Sequence, residues 1–361
     1  CTYRTERPGR PLQIFPALYP LSVPPYQWCC MRLFSRNVPL LPALFALFTL
    51  EILFLYAESG YSAQKPGLNK AQPAQFPWSS LTLGGSKMAN RLTVKMDYGP
   101  ASRVATRQPW PDMSQTAHCA PARQGTNLLA SNLQVAGMLR NSQYAEQLWL
   151  GADGWPVSRI RFNQDANDPW IKAYCWEKNG VRRSKVEPAS NKEDLKRPAG
   201  WSQHSASWYP YPQMATSCPA ISDPTQLLLL VSTLAQQSKQ QSESHLSLCA
   251  FSRQHLFHVE IREESAPAQE LSYQLMRAGK PAEQRSGSVQ PRVYRIISRD
   301  LHAGGKADGK TDEKAEPFSL MGLEKDIRIY VDPEYAVPVR LSGTAGTLGK
   351  IELNLRAAQL N

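Results

Sequence analysis

The stretch that most constrains the fold is the C-terminal one, where Asp326–Tyr330, Tyr335–Leu341 and Lys350–Arg356 each repeat with a period of two. Ile327, Ile329 and Val331 alternate with Arg328 and Tyr330. Val337, Val339 and Leu341 alternate with Pro338 and Arg340, and Ile351, Leu353 and Leu355 with Glu352, Asn354 and Arg356. Side chains on a strand point alternately to its two faces, so each run predicts a strand with one apolar and one wet face. Asp332-Pro333-Glu334 and the glycine-rich 343–349 supply turn residues. Three sequential strands joined this way form an antiparallel meander. Pro338 and the charges beside it read as protection of an exposed edge.

The same signal recurs upstream. Leu81–Leu83, Leu92–Tyr98, Leu128–Leu139, Tyr144–Leu150 and Val157–Phe162 read as strands, with a turn at Gly151-Ala152-Asp153-Gly154. In Trp170–Trp176 one face carries Trp170, Tyr174 and Trp176 and the other Ile171, Ala173 and Cys175, as in a central strand or one lining a cavity. Further strands are predicted at Ser247–Phe251, Leu256–Ile261, Glu270–Met276 and Val293–Ser298. One helix is predicted, with Asp223 as cap, Pro224 in the first position and Leu227 to Ala235 as its apolar body. Residues 99–126, 177–220 and 301–317 read as long surface loops. The expected fold is mainly β: one domain over 81–361 built on a curved antiparallel sheet, a half-barrel or open barrel, with one or two short helices. About ten to twelve strands are too many for a flat sheet.

The N-terminal part is of another kind. Residues 1–30 begin with Cys1, hold a Cys29-Cys30 pair and show no periodicity; they read as untranslated sequence upstream of a start at Met31. Arg32 and Arg36 then precede an apolar run, 38–57, interrupted only by Glu51. That is the layout of a secretory signal, and 31–63 is either a cleaved signal peptide or an N-terminal inner-membrane anchor. Residues 64–80, rich in Pro, Ala, Gln and Ser, read as a linker. The expected location is the periplasm of a bacterial envelope, with membrane contact only through the N-terminal segment if it is uncleaved.

An exported chain keeps disulfides. Cys119, Cys175, Cys218 and Cys249 follow the apolar run, and their settings suggest 119–218 and 175–249 pairs. The net charge is +11, and only five of 41 basic and three of 30 acidic residues precede residue 64. Apart from Arg182-Arg183-Ser184-Lys185 the basic residues are scattered, as on a solvated surface, and no nucleic acid is expected as partner.

Chemistry is sparsely marked. There is no Cys-x-x-Cys, His-Glu-x-x-His, Gly-x-Ser-x-Gly or phosphate-binding glycine loop, so no catalytic residue and no cofactor is assigned. His245, Cys249, His255 and His258 hold ligand-type side chains, but His255 and His258 are three positions apart, which along a strand puts them on opposite faces; no metal is expected there. Glu260, Glu263 and Glu264 read as solvated. Aromatics are the richer signal. Trp149, Trp155, Trp170, Tyr174 and Trp176 crowd together, either filling a core or lining an apolar groove for an acyl chain or a hydrophobic peptide.

Glu146-Gln147-Leu148-Trp149-Leu150, Gly154-Trp155-Pro156-Val157 and the Trp170–Trp176 strand resemble the bacterial envelope family catalogued as domain of unknown function 3108. Asp223-Pro224 before the leucine-rich segment and the ending Ile329-Tyr330-Val331-Asp332, Val337-Pro338-Val339-Arg340-Leu341 and Leu348-Gly349-Lys350-Ile351 are similar to its order of elements. The resemblance implies an exported, mostly antiparallel β protein, related in shape to half-barrel lipoprotein carriers, and carries no catalytic residues. The function expected is that of a non-enzymatic envelope protein binding a lipid, another apolar ligand or an envelope protein partner. A hydrolase or transferase acting on envelope lipid or polymer and a structural assembly module are the alternatives.

Overall fold

The computed structural model describes residues 76–87, 90–107, 126–136, 141–163, 168–189, 200–213, 215, 218, 220–237, 245–302 and 317–361. The readings made for 1–63, for most of the linker and for Cys119 lie outside these residues, as do most of 99–126 and 301–317 and part of 177–220. No helix among the described residues is long and apolar enough to cross a membrane.

The chain is mainly β, with one large mixed sheet that does not close into a barrel and, among the described residues, two short helices. Its first half is a sequential antiparallel meander: β1 (Trp78–Lys87), β2 (Asn90–Pro100), β3 (Asn127–Ala136), β4 (Asn141–Leu150), β5 (Pro156–Asn163), β6 (Trp170–Glu177), β7 (Gly180–Glu187) and β8 (Gln203–Pro210). The short β9 (Ile221–Ser222) follows, then β10 (His245–Ser252), β11 (His255–Glu264), the hairpin β12 (Gln269–Met276) and β13 (Glu283–Val289), β14 (Arg292–Asp300), β15 (Lys325–Asp332), β16 (Val337–Ala345) and β17 (Gly349–Leu360). From β1 the sheet continues through β17, β16, β15, β14, β11 and β10 to β9, the last pair being parallel. The β12–β13 hairpin joins on where β12 runs parallel to the end of β17, beyond the part of β17 that β16 covers.

Strand twist makes a sheet of this size curl, and the curl gives it a concave face to fill. Helix α2 (Leu227–Gln237) fills it. Asp223 caps the 3-10 turn Pro224–Gln226 that leads into the helix, its carboxylate accepting from the Thr225 N–H. Leu227, Leu228, Leu229, Leu230, Val231 and Ala235 are all buried, as in a helix surrounded by apolar surface. They share one core with Ile327, Ile329 and Val331 of β15 and Ile351, Leu353 and Leu355 of β17. Helix α1 (Ala101–Arg107) lies on the other face, where Val104 meets Leu128, Ala130 and Trp149.

Several expectations are corrected. The linker ends earlier than 80, because Phe76 and Trp78 are buried and Trp78 donates to the Ser232 hydroxyl of α2 at 2.9 Å. Within 99–126 lies α1, and the described residues of 177–220 hold β7 and β8. The strands among the described residues number seventeen. β16 is internal, between β15 and β17, and the donor that Pro338 lacks falls at the register shift between Tyr330 and Val331. Glu263 and Glu264 are ion-paired, with Arg292 and with Arg295 and Arg328.

Cys218 is bonded to Cys249, with Cα atoms 5.5 Å apart, so neither the 119–218 nor the 175–249 pairing holds; Cys175 is disulfide-bonded as well. The physical reason is the parallel pairing of β9 with β10, which lays the segment after Cys218 alongside Cys249, whose N–H donates to the Ala220 carbonyl at 3.2 Å. The bridge helps draw together the unpaired ends of the sheet. There Tyr174, Trp176 and Tyr209, from β6 and β8, surround Phe251 of β10 with ring centroids 5.8–6.3 Å away.

Candidate functional site

Residues directly opposite in an antiparallel pair project to the same face. Register therefore builds the site. Glu146 pairs with Arg161, Arg161 with Lys172 and Lys172 with Lys185, which sets one acid and then three consecutive cations in a row across β4, β5, β6 and β7. The neighbouring row is Leu148, Arg159, Tyr174 and Arg183. Like charges placed opposite each other on a sheet repel, so the row runs against sheet stability.

The acids nearby are partly committed. Arg159 donates to Glu146 at 2.5 Å and to Asp223 at 2.7 Å, and Arg161 lies 3.5 Å from Glu146. Lys185 pairs with Glu187. Lys172 makes no salt bridge among the described residues. Its ammonium sits instead 4.1 Å from the centre of the Trp170 ring, with the Arg161 guanidinium 5.7 Å from the same ring. Burial, and then the charges of Arg161, Lys185 and Arg183, push the Lys172 amine down to about 8.

Beside the row a cavity of about 240 Å³ opens on the concave face. Arg159, Arg161 and Trp170 form its cationic and aromatic wall, Val94, Leu133 and Met321 its apolar wall. Arg253 comes in from the two-residue turn between β10 and β11, in which both Arg253 and Gln254 have positive φ, 47° and 75°. That backbone normally asks for Asn-Gly. Here an ion pair from Arg253 to Glu324 (2.6 Å) and a hydrogen bond from the Tyr209 hydroxyl to Gln254 (2.8 Å) hold it. At ~30 Å³ per water the cavity has room for about eight waters, the size of a head group with a short apolar stretch.

Glu146 and Thr225 also line the cavity, and Glu146 forms a clasp with Asp223, which lies outside the lining. Glu146 accepts from the Thr225 hydroxyl at 2.7 Å as well as from Arg159. Burial alone would raise its carboxyl; Arg159, Arg161 and the Thr225 hydroxyl outweigh that and hold it below the ordinary carboxylate range. Asp223 is sealed from solvent. Its burial, together with the charge of Glu146, exceeds what Arg159 returns, so its carboxyl is pushed up to about 6.

The five aromatic candidates are placed in different settings. Trp149 is on the outer face under α1. Trp155 packs against the main core, and Tyr174 and Trp176 belong to the cluster around Phe251 at the sheet ends. Trp176 also borders a more open recess of about 690 Å³ with Tyr211 and Ile221. Trp170 alone of the five lines the concave cavity. Sequence reasoning missed Arg161, Lys172, Arg183 and Lys185 as a group. The run Arg182-Arg183-Ser184-Lys185 was the available signal, and its alternation puts Arg183 and Lys185 on one face. Of the histidine cluster, Cys249 is in its disulfide and His258 bonds Ser247 at 2.8 Å. Comparison with family models, with curated proteins and with solved structures finds no match for the chain.

Proposed function

We propose that the chain is a non-enzymatic, exported envelope protein that binds an anionic amphiphile on the concave face of its sheet. The carboxylate or phosphate head group sits against Arg161, Lys172 and Lys185, and the first part of the apolar tail lies along Val94, Leu133 and Met321. The observation that carries this reading is the cross-strand row of three cations, in which Lys172 is part-buried, depressed in pKa despite the more distant charge of Asp168, and without a salt bridge among the described residues. An anion bound there converts mutual repulsion into attraction, and the low local dielectric strengthens it.

Export rests on the apolar run 38–57 and on the disulfides. The hydrolase reading gains little from the Glu146–Asp223 pair. Both carboxylates spend their oxygens on Arg159 and on Thr225, and Asp223 is closed to any substrate. Docking of an envelope partner is the second reading, favoured by the outer edge of β8, where Trp208 is 44% exposed.

The test is titration calorimetry of the purified protein with palmitate, with lysophosphatidylglycerol and with an uncharged monoacylglycerol. Binding of either anion, weakened at least tenfold in Lys172→Gln and absent for the uncharged lipid, supports the proposal and shows which head group is preferred. Equal binding of all three, or of none, overturns it. A stoichiometric protein partner in native mass spectrometry of the envelope fraction would move the weight to the β8 edge.

A further inference from the structure

His255 opens β11 and Asp300 closes β14, and these strands are paired antiparallel, with Phe257 opposite Asp300. The ladder runs on past the end of β14, where the Leu301 N–H donates to the Leu256 carbonyl at 2.9 Å. His302 is thereby brought back over the same corner. His255 Nδ1 lies 2.8 Å from Asp300 Oδ2, and His302 Nδ1 lies 3.5 Å from Asp300 Oδ1. One ligand atom from each of the three residues falls within 4.8 Å of the others.

Part of this is an ordinary hydrogen-bonded cluster: His255 Nδ1 faces an acceptor oxygen, and the His302 backbone N–H donates to Asp300 Oδ1 at 2.8 Å. The contact between His302 Nδ1 and Asp300 Oδ1 is different. The Leu256 N–H donates to His302 Nδ1 at 3.3 Å, so that nitrogen carries a lone pair and not a proton. Two electron-rich atoms therefore face each other at 3.5 Å with no hydrogen between them. A cation placed between them would take the Nδ1 lone pair in place of the weak 3.3 Å contact from the Leu256 N–H, and would share Asp300 Oδ1 with the His302 backbone N–H.

We infer that His255, Asp300 and His302 form a binding site for a divalent transition-metal cation of the zinc class. Two imidazoles with one carboxylate are a donor set for such ions, whereas magnesium and calcium take oxygen ligands throughout. Metal–ligand bonds of about 2.0–2.2 Å in a tetrahedron put ligand atoms roughly 3.3–3.5 Å apart; the two imidazoles lie 2.8 and 3.5 Å from different oxygens of Asp300, and one ligand atom from each residue lies within 4.8 Å of the others. Small ring rotations close the site. His255 and His302 side chains are each 33% exposed, so an ion reaches them from solvent. Three protein ligands leave a position for water. The ion would pin the start of β11, immediately after the Arg253-Gln254 turn, to the end of β14.

The experiment is calorimetric titration of the untagged, chelator-treated full chain with zinc chloride at neutral pH, repeated on His302→Ala, Asp300→Asn and His255→Ala, with near-UV circular dichroism as the folding check. One equivalent of zinc is expected, with affinity reduced at least tenfold in His302→Ala and in Asp300→Asn and a rise in Tm on zinc addition seen only in the wild type. If His255→Ala fails to fold, the other two variants decide. Failure to bind zinc, or one-equivalent binding that survives in folded His302→Ala and Asp300→Asn, overturns the inference. The outcome is independent of amphiphile binding, since none of the three residues lines the concave cavity.

Discussion

Arg159 on β5 donates to Asp223 at 2.7 Å across 64 residues of sequence, fastening the sheet wall to the turn that starts α2. The same guanidinium holds Glu146 at 2.5 Å, so one buried cation serves two buried carboxylates. Its removal leaves those acids facing each other with Arg161 as their remaining cation. Breaking a buried ion pair by deleting one partner costs about 3–5 kcal/mol. Arg159→Met is expected to lower stability by that amount in urea unfolding. Arg159→Lys should fall between, because a single ammonium cannot fork to both acids as a guanidinium does. An unchanged urea midpoint in Arg159→Met would refute the clasp.

Lys172 sets a pH dependence. Its amine is pushed down to about 8 in the folded protein, from an ordinary 10.5, first by burial and then by Arg161, Lys185 and Arg183. Between these values the unfolded chain holds a proton that the folded chain has released, so stability from this group rises with pH across roughly pH 8 to 10.5. Below 8 the lysine is charged in both states and its repulsion is felt in full. Urea midpoints at pH 7.5 and 9.5 should therefore diverge less in Lys172→Met than in the wild type. A bound anion reverses the shift, and binding near pH 8.5 should take up a proton, seen as a buffer-dependent heat.

The Cys218–Cys249 bond closes a loop with a sequence separation of 31. Chain entropy assigns about 3–4 kcal/mol to a cross-link of that span. The double variant Cys218→Ser/Cys249→Ser should lose about this much. Non-reducing peptide mapping should recover Cys218 and Cys249 in one linked fragment, and a 175–249 fragment would contradict the parallel β9–β10 pairing.

What was legible in the sequence follows from where apolar side chains alternate. β15 and β17 bury Ile327, Ile329, Ile351 and Leu353 on one face and stood out, as did the Asp223-Pro224 start of the helix. β7 did not, because its concave face carries Arg183 and Lys185 in place of apolar residues, and a strand written with cations looks like a solvated loop. β13 lies at the margin of the sheet with alternate residues exposed and bears Gly287 at a φ of 128°, so it too lacked the pattern. The β10–β11 turn has no glycine to announce it. Most of the site is a matter of register: Arg161, Lys172 and Lys185 are distant in sequence and become neighbours only when three strands pair.

Trp78 shows how far one polar contact reaches. It lies in the stretch whose composition reads as linker, yet it is fully buried, and its indole Nε1 donates to Ser232 Oγ at 2.9 Å. Ser232 Oγ in turn donates to the Leu228 carbonyl one helical turn back, so the hydroxyl ties β1 to α2. Ser232→Ala strands the indole N–H in the core, where an unsatisfied donor costs about 1–3 kcal/mol. Trp78→Phe deletes the donor and part of the ring together, and its larger loss comes from the cavity. The two changes combined should cost less than their sum, because Ser232→Ala no longer orphans anything once the indole is gone. Urea unfolding of the four proteins in the cycle measures that difference; strict additivity would mean that the β1–α2 hydrogen bond contributes nothing to holding the start of the sheet against the helix.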